Sequence, residues 1–212
     1  MHSIRKMYNI VSYCRIRENE ILRDDRVILS LPEISLDDFL LKAYEQLDIN
    51  YAKFYKMDRM CKLGLLGSEV LLSGISKSLE SESTSVILSN SSSSLDTDFR
   101  YWDSVKNVAS PSLFVYTLPN IVAGEICIRN GFKGETNFFV SDAFEPDWLA
   151  NNVEMVLSAE HTNSCLAGWV NVLGNHAEVF LYLTSKTSTG IGLNSGDNLR
   201  ALFNHGSTHL KS

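Results

Sequence analysis

The sequence predicts an α/β domain, and three observations carry the prediction. Thr84-Ser85-Val86-Ile87-Leu88-Ser89 reads as a short strand that passes through a run of serines into Leu95–Trp102, which is the strand, small-residue turn, helix order of α/β units. Ser35 stands before Leu36-Asp37-Asp38-Phe39 as a helix N-cap with acids in the first turn. Two apolar runs, Cys165–Val172 and Glu178–Leu183, flank a Gly174-Asn175 turn signal and predict a β-hairpin.

The remaining elements follow in chain order. Residues 8–16 are rich in β-branched and aromatic residues and predict a strand, followed by a solvated loop through the Arg, Asp and Glu residues to about residue 26. After Ser35, the spacing of Phe39, Leu40, Ala43 and Leu47 suits a helix. Residues 58–74, with Met60, Leu63, Leu66, Gly67, Val70 and Leu71, predict a second helix whose apolar face is wide enough for burial between layers. After Ser110-Pro111, the chain is apolar almost throughout from Leu113 to Asn130, and Pro119 predicts a kink of a buried helix at Leu118. Phe138-Phe139-Val140 predicts a further strand. From Ser185 to Ser212 the chain is rich in Ser, Thr, Gly and Asn, and Leu199–Phe203 is its one apolar cluster, so a mobile tail with a single helical turn is expected.

Composition bounds the function. The 212 residues, 44% hydrophobic and 21% charged, suffice for one good core. A net charge of -6 lacks the basic face that sequence-independent nucleic-acid binding needs, and an acidic carrier protein would have to use a local basic patch. Cys14, Cys61, Cys127 and Cys165 lie far apart, with no Cys-x-x-Cys pair and no histidine at zinc-ligand spacing, so neither a metal nor a cofactor is expected. No signal peptide and no long uncharged apolar stretch is visible, which with free cysteines points to the cytoplasm and to no membrane span.

Four strings in order carry a family resemblance. Met57-Asp58-Arg59-Met60-Cys61-Lys62-Leu63 resembles a helix start of β-ketoacyl synthases, and Ser91 to Asp98 resembles their small-residue loop before a helix. Ser110-Pro111-Ser112-Leu113-Phe114-Val115 with Leu118-Pro119-Asn120-Ile121-Val122-Ala123-Gly124-Glu125 is similar to their acyl-pocket segment, and Lys133-Gly134 to the turn before their nucleophile strand. The resemblance spans about residues 57–183. It implies a single thiolase-like half, a mixed β-sheet flanked by helices on both faces, over 1–184, with 185–212 as the polar tail. One half alone would leave the family's central helical layer uncovered, and a large exposed apolar patch implies a partner.

The resemblance also marks departures. Counting from Gly134, the family's nucleophilic cysteine at the start of a buried helix is replaced by Ala143, followed by Phe144, Glu145 and Pro146 where the family has small residues. A helix N-terminus stabilises a thiolate and can hold an oxyanion; a methyl group performs no attack. The family's catalytic histidines and lysine come from its C-terminal half, whereas His205 and His209 lie in the polar tail without the surrounding motif. Cys165 reads as a core cysteine; Ser141 and Ser91–Ser94 read as turn or capping serines, with no Gly-x-Ser-x-Gly elbow. By resemblance Leu113, Phe114, Tyr116 and Thr117 line an acyl pocket, though core packing explains them equally well, and Phe138 and Phe139 lie on the strand that crosses the family's dimer axis.

These features imply a non-catalytic, chain-length-factor-like partner of a complete ketosynthase in fatty-acid-like or polyketide-like biosynthesis, of the aryl polyene type, reaching acyl carrier protein through the complex. An acyltransferase or acyl hydrolase with an unrecognised nucleophile, and an acyl-binding homodimer, are the alternatives.

Overall fold

The computed structural model describes residues 8–187 and 189–205. One mixed sheet in the strand order β3-β2-β1-β7-β6-β4-β5 runs through the molecule. Its strands are β1 (Asn9–Arg17), β2 (Glu20–Arg23), β3 (Arg26–Ser30), β4 (Thr84–Asn90), β5 (Thr136–Val140), β6 (Ser164–Leu173) and β7 (His176–Ser185), with the short β8 (Gly192–Leu193) paired to the start of β1. β4 lies parallel to both β5 and β6; the β6–β7, β7–β1, β1–β2 and β2–β3 pairs are antiparallel.

Burial on both faces explains why the central strands read as continuous apolar runs. Val86 and Leu88, Leu166 and Val170, and Val179, Leu181 and Leu183 face one core. The intervening Ile87, Cys165, Ala167, Trp169, Phe180 and Tyr182 face the other. This is the period-two alternation of a pleated strand. The first core is covered by α1 (Leu36–Gln46), α2 (Arg59–Leu72) and α5 (Ile121–Asn130), the second by α6 (Pro146–Ser158) and α7 (Gly196–Asn204). α3 (Leu95–Val105) and the short α4 (Pro111–Val115) pack on each other beyond the carboxyl ends of the parallel strands.

The Ser35 cap forms as the sequence predicts, and a second cap forms at Asp58. Ser35 Oγ accepts from the Asp38 amide at 3.1 Å, and Asp58 accepts from the Cys61 amide at 2.8 Å to start α2. The hairpin turns at Gly174, whose φ of 60° is the left-handed conformation that glycine adopts without cost. At Gly134 a side chain has no room: an added Cβ would lie 2.4 Å from the Thr84 carbonyl oxygen, so the bare backbone seats the turn before β5 against β4. Gly134→Ala is therefore expected to lower the urea midpoint of unfolding, and an unchanged midpoint would refute this account.

Three expectations are corrected. The charged stretch to residue 26 is not a loop: it holds β2 and two tight turns in which Glu18, Asn19, Asp24 and Asp25 all take positive φ. Its charges mark the turns, where Asp and Asn tolerate that conformation. The run from Leu113 to Asn130 is two helices rather than one kinked helix, because Pro119 falls in the break between α4 and α5 and disfavours helical backbone before it.

The third correction concerns the expected mobile tail: in its described residues, to His205, the segment after Ser185 carries β8 and α7. Leu199 is fully buried, and Asn194, itself buried, accepts from the Tyr182 hydroxyl at 3.3 Å and donates to the Ala150 carbonyl at 3.0 Å. Asn194 also donates its amide to the Tyr8 carbonyl at 2.8 Å. A few well-spaced apolar residues and one polar pin thus tie down a polar-looking sequence.

Among the described residues no helix is long and apolar enough to cross a membrane, and no group of three or more His, Cys, Asp or Glu side chains could hold a metal ion.

Candidate functional site

In open α/β sheets the ligand crevice lies beyond the carboxyl ends of parallel strands. Here that region is built from the loop after β4 (residues 91–94), the loop after β5 (residues 141–145), and α3 with α4. The serine loop is held from below by Asn171 on β6, whose side-chain oxygen accepts from the Ser91 and Ser92 amides at 3.3 and 3.0 Å. Asn90 clamps the turn by exchanging hydrogen bonds with Ser93, which sits at a φ of 48°. Ser94 donates to the Thr117 carbonyl at 2.7 Å and so ties α3 to the turn after α4. The serines are thus engaged in turn and tethering contacts.

Ala143 lies in the loop between β5 and α6, where it is exposed and precedes the helix. α6 has Pro146 at its first turn and no side-chain cap at Glu145. The resemblance put this residue at a helix start; Pro146 and the loop turn, in which Ser141 donates to the Ala143 carbonyl at 2.9 Å, move the helix downstream. Phe144 then turns inward. Its ring stacks on Phe203 at 4.3 Å and meets Phe180 edge-on at 5.5 Å, so an aromatic cluster from β7 and α7 closes the space behind the loop.

The thiols lie elsewhere. Cys14, Cys61 and Cys165 are buried, and burial pushes each thiol well above its ordinary range, which suppresses the nucleophilic thiolate. Cys127 on α5 is half-buried beside Thr136, its thiol also raised by burial. Among histidines, His161 sits in the turn after α6, His176 opens β7, and His205 follows α7 with Nδ1 3.1 Å from Asp25; His209 lies outside the described residues.

The acyl-pocket candidates are split by the structure. Tyr116 is buried in the first core and its hydroxyl pKa is raised by desolvation. Leu113 and Thr117 are half-buried, Thr117 donating to the Phe114 carbonyl. Phe114 is 59% exposed and contacts Tyr101 of α3. None of the four lines the 160 Å³ hollow beside Arg17 and Phe39 or the 300 Å³ hollow between Asp147 and Asn194.

Phe138 and Phe139 are both half-buried, one against each core, with Phe139 edge-on to Trp148 at 4.7 Å. What β5 leaves open is its outer backbone edge and Val140.

Sequence reasoning missed Asp96 and Thr97. Both are buried on α3: Thr97 donates to Asp58 at 2.6 Å, and Asp96 accepts from the Gly174 amide at 2.8 Å with Arg59 3.6 Å away. Asp58 is itself buried and desolvation raises its carboxyl pKa. The signal was an Asp-Thr pair inside a helix that also carries Phe99 and Trp102, but the partners come from distant elements.

No family model matches the chain, and no curated protein matches it. Solved structures do. The chain is similar to the ishigamide ketosynthase/chain length factor, with a TM-score of 0.66 at 14% identity over 88% of this chain and 64% of that one. A ketosynthase in complex with its chain length factor from Xenorhabdus doucetiae gives 0.57 at 11% identity, over 86% and 80% of the two chains. A type II polyketide ketosynthase in complex with its acyl carrier protein gives 0.60 at 12%, over 86% and 64%. The chain thus spans less than two thirds of the length of two of these relatives. Its mixed sheet, flanked by helices on both faces, is the thiolase-like fold of these ketosynthase and chain length factor structures.

Proposed function

We propose that the chain is a chain-length-factor-like partner of a β-ketoacyl-acyl carrier protein synthase, non-catalytic itself, in fatty-acid-like or polyketide-like biosynthesis of the aryl polyene type. The observation that carries the reading is the loop after β5: an exposed Ala143 stands where the resemblance expects a cysteine, and Phe144 fills the space behind it. The complete ketosynthase supplies the nucleophile and the acid/base groups of the condensation, and acyl carrier protein is served through the complex. This subunit contributes Leu113, Phe114, Tyr116 and Thr117 to the wall of an acyl tunnel and the open edge of β5, with Phe138 and Phe139 behind it, to subunit contact. An unpaired strand edge invites such pairing.

The test is to purify the subunit with its ketosynthase, incubate the complex with acylated carrier protein and weigh both chains intact. Acylation is expected on the ketosynthase alone. An acyl adduct on Cys165 or Ser141 would overturn the reading in favour of an acyltransferase or hydrolase. Ala143→Cys by itself is expected to create no condensing activity, since a thiol there sits in solvent ahead of the helix and condensation also needs positioned acid/base groups.

A further inference from the structure

The last turn of α7 rests on a floor more polar than itself. Arg15 and Arg17 stand two residues apart on one face of β1, and both donate to the Phe203 carbonyl, at 3.5 and 3.4 Å; Arg15 also donates to the His205 carbonyl. Arg17 is ion-paired with Glu178 at 2.6 Å. Arg15 is 7% exposed, and its hydrogen bonds among the described residues go to those two neutral carbonyls, with Glu20 and Asp25 acting on it from longer range. A buried guanidinium without a carboxylate in contact leaves much of its desolvation uncompensated, and a carbonyl at 3.5 Å is a weak acceptor for it. The ring of Phe203 stacks on Phe144 at 4.3 Å, meets Phe180 at 5.8 Å and has the Arg17 guanidinium 5.1 Å from its centre. Trp169 meets Phe144 edge-on at 6.1 Å, and its indole N–H is buried with no hydrogen-bond partner among the described residues. The turn itself is lightly held, since the buried residues of α7, Gly196 and Leu199, both precede it.

We propose that this turn is a lid over a binding site for a small aromatic carboxylate, and that Phe203 occupies the site in its closed form. The inference is independent of the partner reading. The present occupant displays the chemistry: one residue supplies a ring to the aromatic slot and, two carbons away, an oxygen to both arginines, which is the spacing of a 3-arylpropanoate. A carboxylate in place of that carbonyl makes charge-assisted bonds, shorter and about twice as strong as neutral ones. The buried Trp169 N–H is a further donor that Phe203 leaves unused. Space for the carboxylate is present beside the arginines, in a hollow of about 60 Å³ lined by Arg15, Arg17, Glu18, Glu20 and Leu22. Glu18 and Glu20 suit it to a single carboxylate and set it against a phosphate dianion, whose repulsion from them is larger. The last turn swings aside at low cost, because Leu199 and Asn194 keep the start of α7 in place and a terminal turn with few buried contacts opens first.

The experiment titrates the full chain with 3-phenylpropanoate in a calorimeter, with 3-phenylpropan-1-ol as the uncharged probe. Phe203→Ala removes the ring that competes for the slot and raises the fraction of open sites, so it should bind the acid about ten-fold tighter than the parent does. The alcohol should bind this variant about ten-fold more weakly than the acid, because it cannot make the charge-assisted bonds. Arg15→Gln added to Phe203→Ala should remove the gain. Hydrogen exchange of the parent tests the same idea should Phe203→Ala fail to fold: saturating 3-phenylpropanoate is expected to speed exchange of the amides of residues 202–204 and to leave that of Leu199 unchanged. A folded Phe203→Ala that binds the acid no better than the parent overturns the proposal. So does an alcohol that binds as well as the acid, an Arg15→Gln double variant that keeps the affinity, or a last turn whose exchange does not respond.

Discussion

Cutting the chain after Ser185 is expected to abolish its cooperative unfolding. The cut removes β8 and α7, and with them the cover of the second core. Leu199 is fully buried, and burying a leucine side chain stabilises by roughly 1.5–3 kcal/mol. Loss of Asn194 strips the Tyr182 hydroxyl and the Tyr8 carbonyl of these partners, at about 1–3 kcal/mol for each group left unsatisfied. Phe144 and Phe180 lose the ring of Phe203. Together these reach the lower end of a domain's total stability, about 5 kcal/mol. The milder Leu199→Ala should cost about 2–5 kcal/mol and leave a folded protein whose urea midpoint has fallen. Tryptophan fluorescence during urea unfolding reads both, through Trp169 in this core. A truncated chain that unfolds in one transition at the parental midpoint would show that α7 is dispensable.

The second large effect concerns product length, and the exposures of the candidate residues decide which variant is informative. Tyr116 is buried in the first core, so Tyr116→Ala should cost about 3–5 kcal/mol and endanger folding. Phe114 is mostly exposed, and Phe114→Ala should change stability by no more than about 0.5 kcal/mol. Leu113→Ala falls between. If the partner closes over Phe114, removing its ring opens room for a further two-carbon unit, whose two methylene-sized groups gain about 1.6 kcal/mol on burial. Phe114→Ala in the reconstituted complex should therefore shift products toward longer chains by at least one unit, read by mass spectrometry. An intact complex with parental product lengths for both Phe114→Ala and Leu113→Ala would refute the chain-length role.

Local signals explain what could be read in advance. The Ser35 cap, the Gly174-Asn175 turn and the apolar runs of β4, β6 and β7 each follow from neighbouring residues. β2 and β3 were hidden because their residues alternate with charges that sit in the turns. α7 was hidden because Leu199, Leu202 and Phe203 are few and are held by Asn194, a residue that reads as a turn former. Counting from Gly134 put Ala143 at a helix start, whereas its place in a loop ahead of α6 depends on Pro146 and on the Ser141 turn. The burial of Asp96 and Thr97 on α3 could not be read at all, since their partners come from the start of α2 and the hairpin turn.

The placement of β1 has a consequence for how the chain reaches its folded state. β1 lies between β2 and β7, and its register with β7 pairs Asn9 with Ser185 and Arg17 with Glu178. β1 must therefore wait for β7 to be synthesised before its inner edge is closed. Such pairings across most of a chain carry a large loop-closure entropy and slow the folding of sheet proteins. Until β7 emerges, the β1–β2–β3 meander presents an unpaired edge with Tyr13, Cys14 and Ile16 on it. On the ribosome, that interval is when the nascent chain is most open to aggregation or to capture by a chaperone.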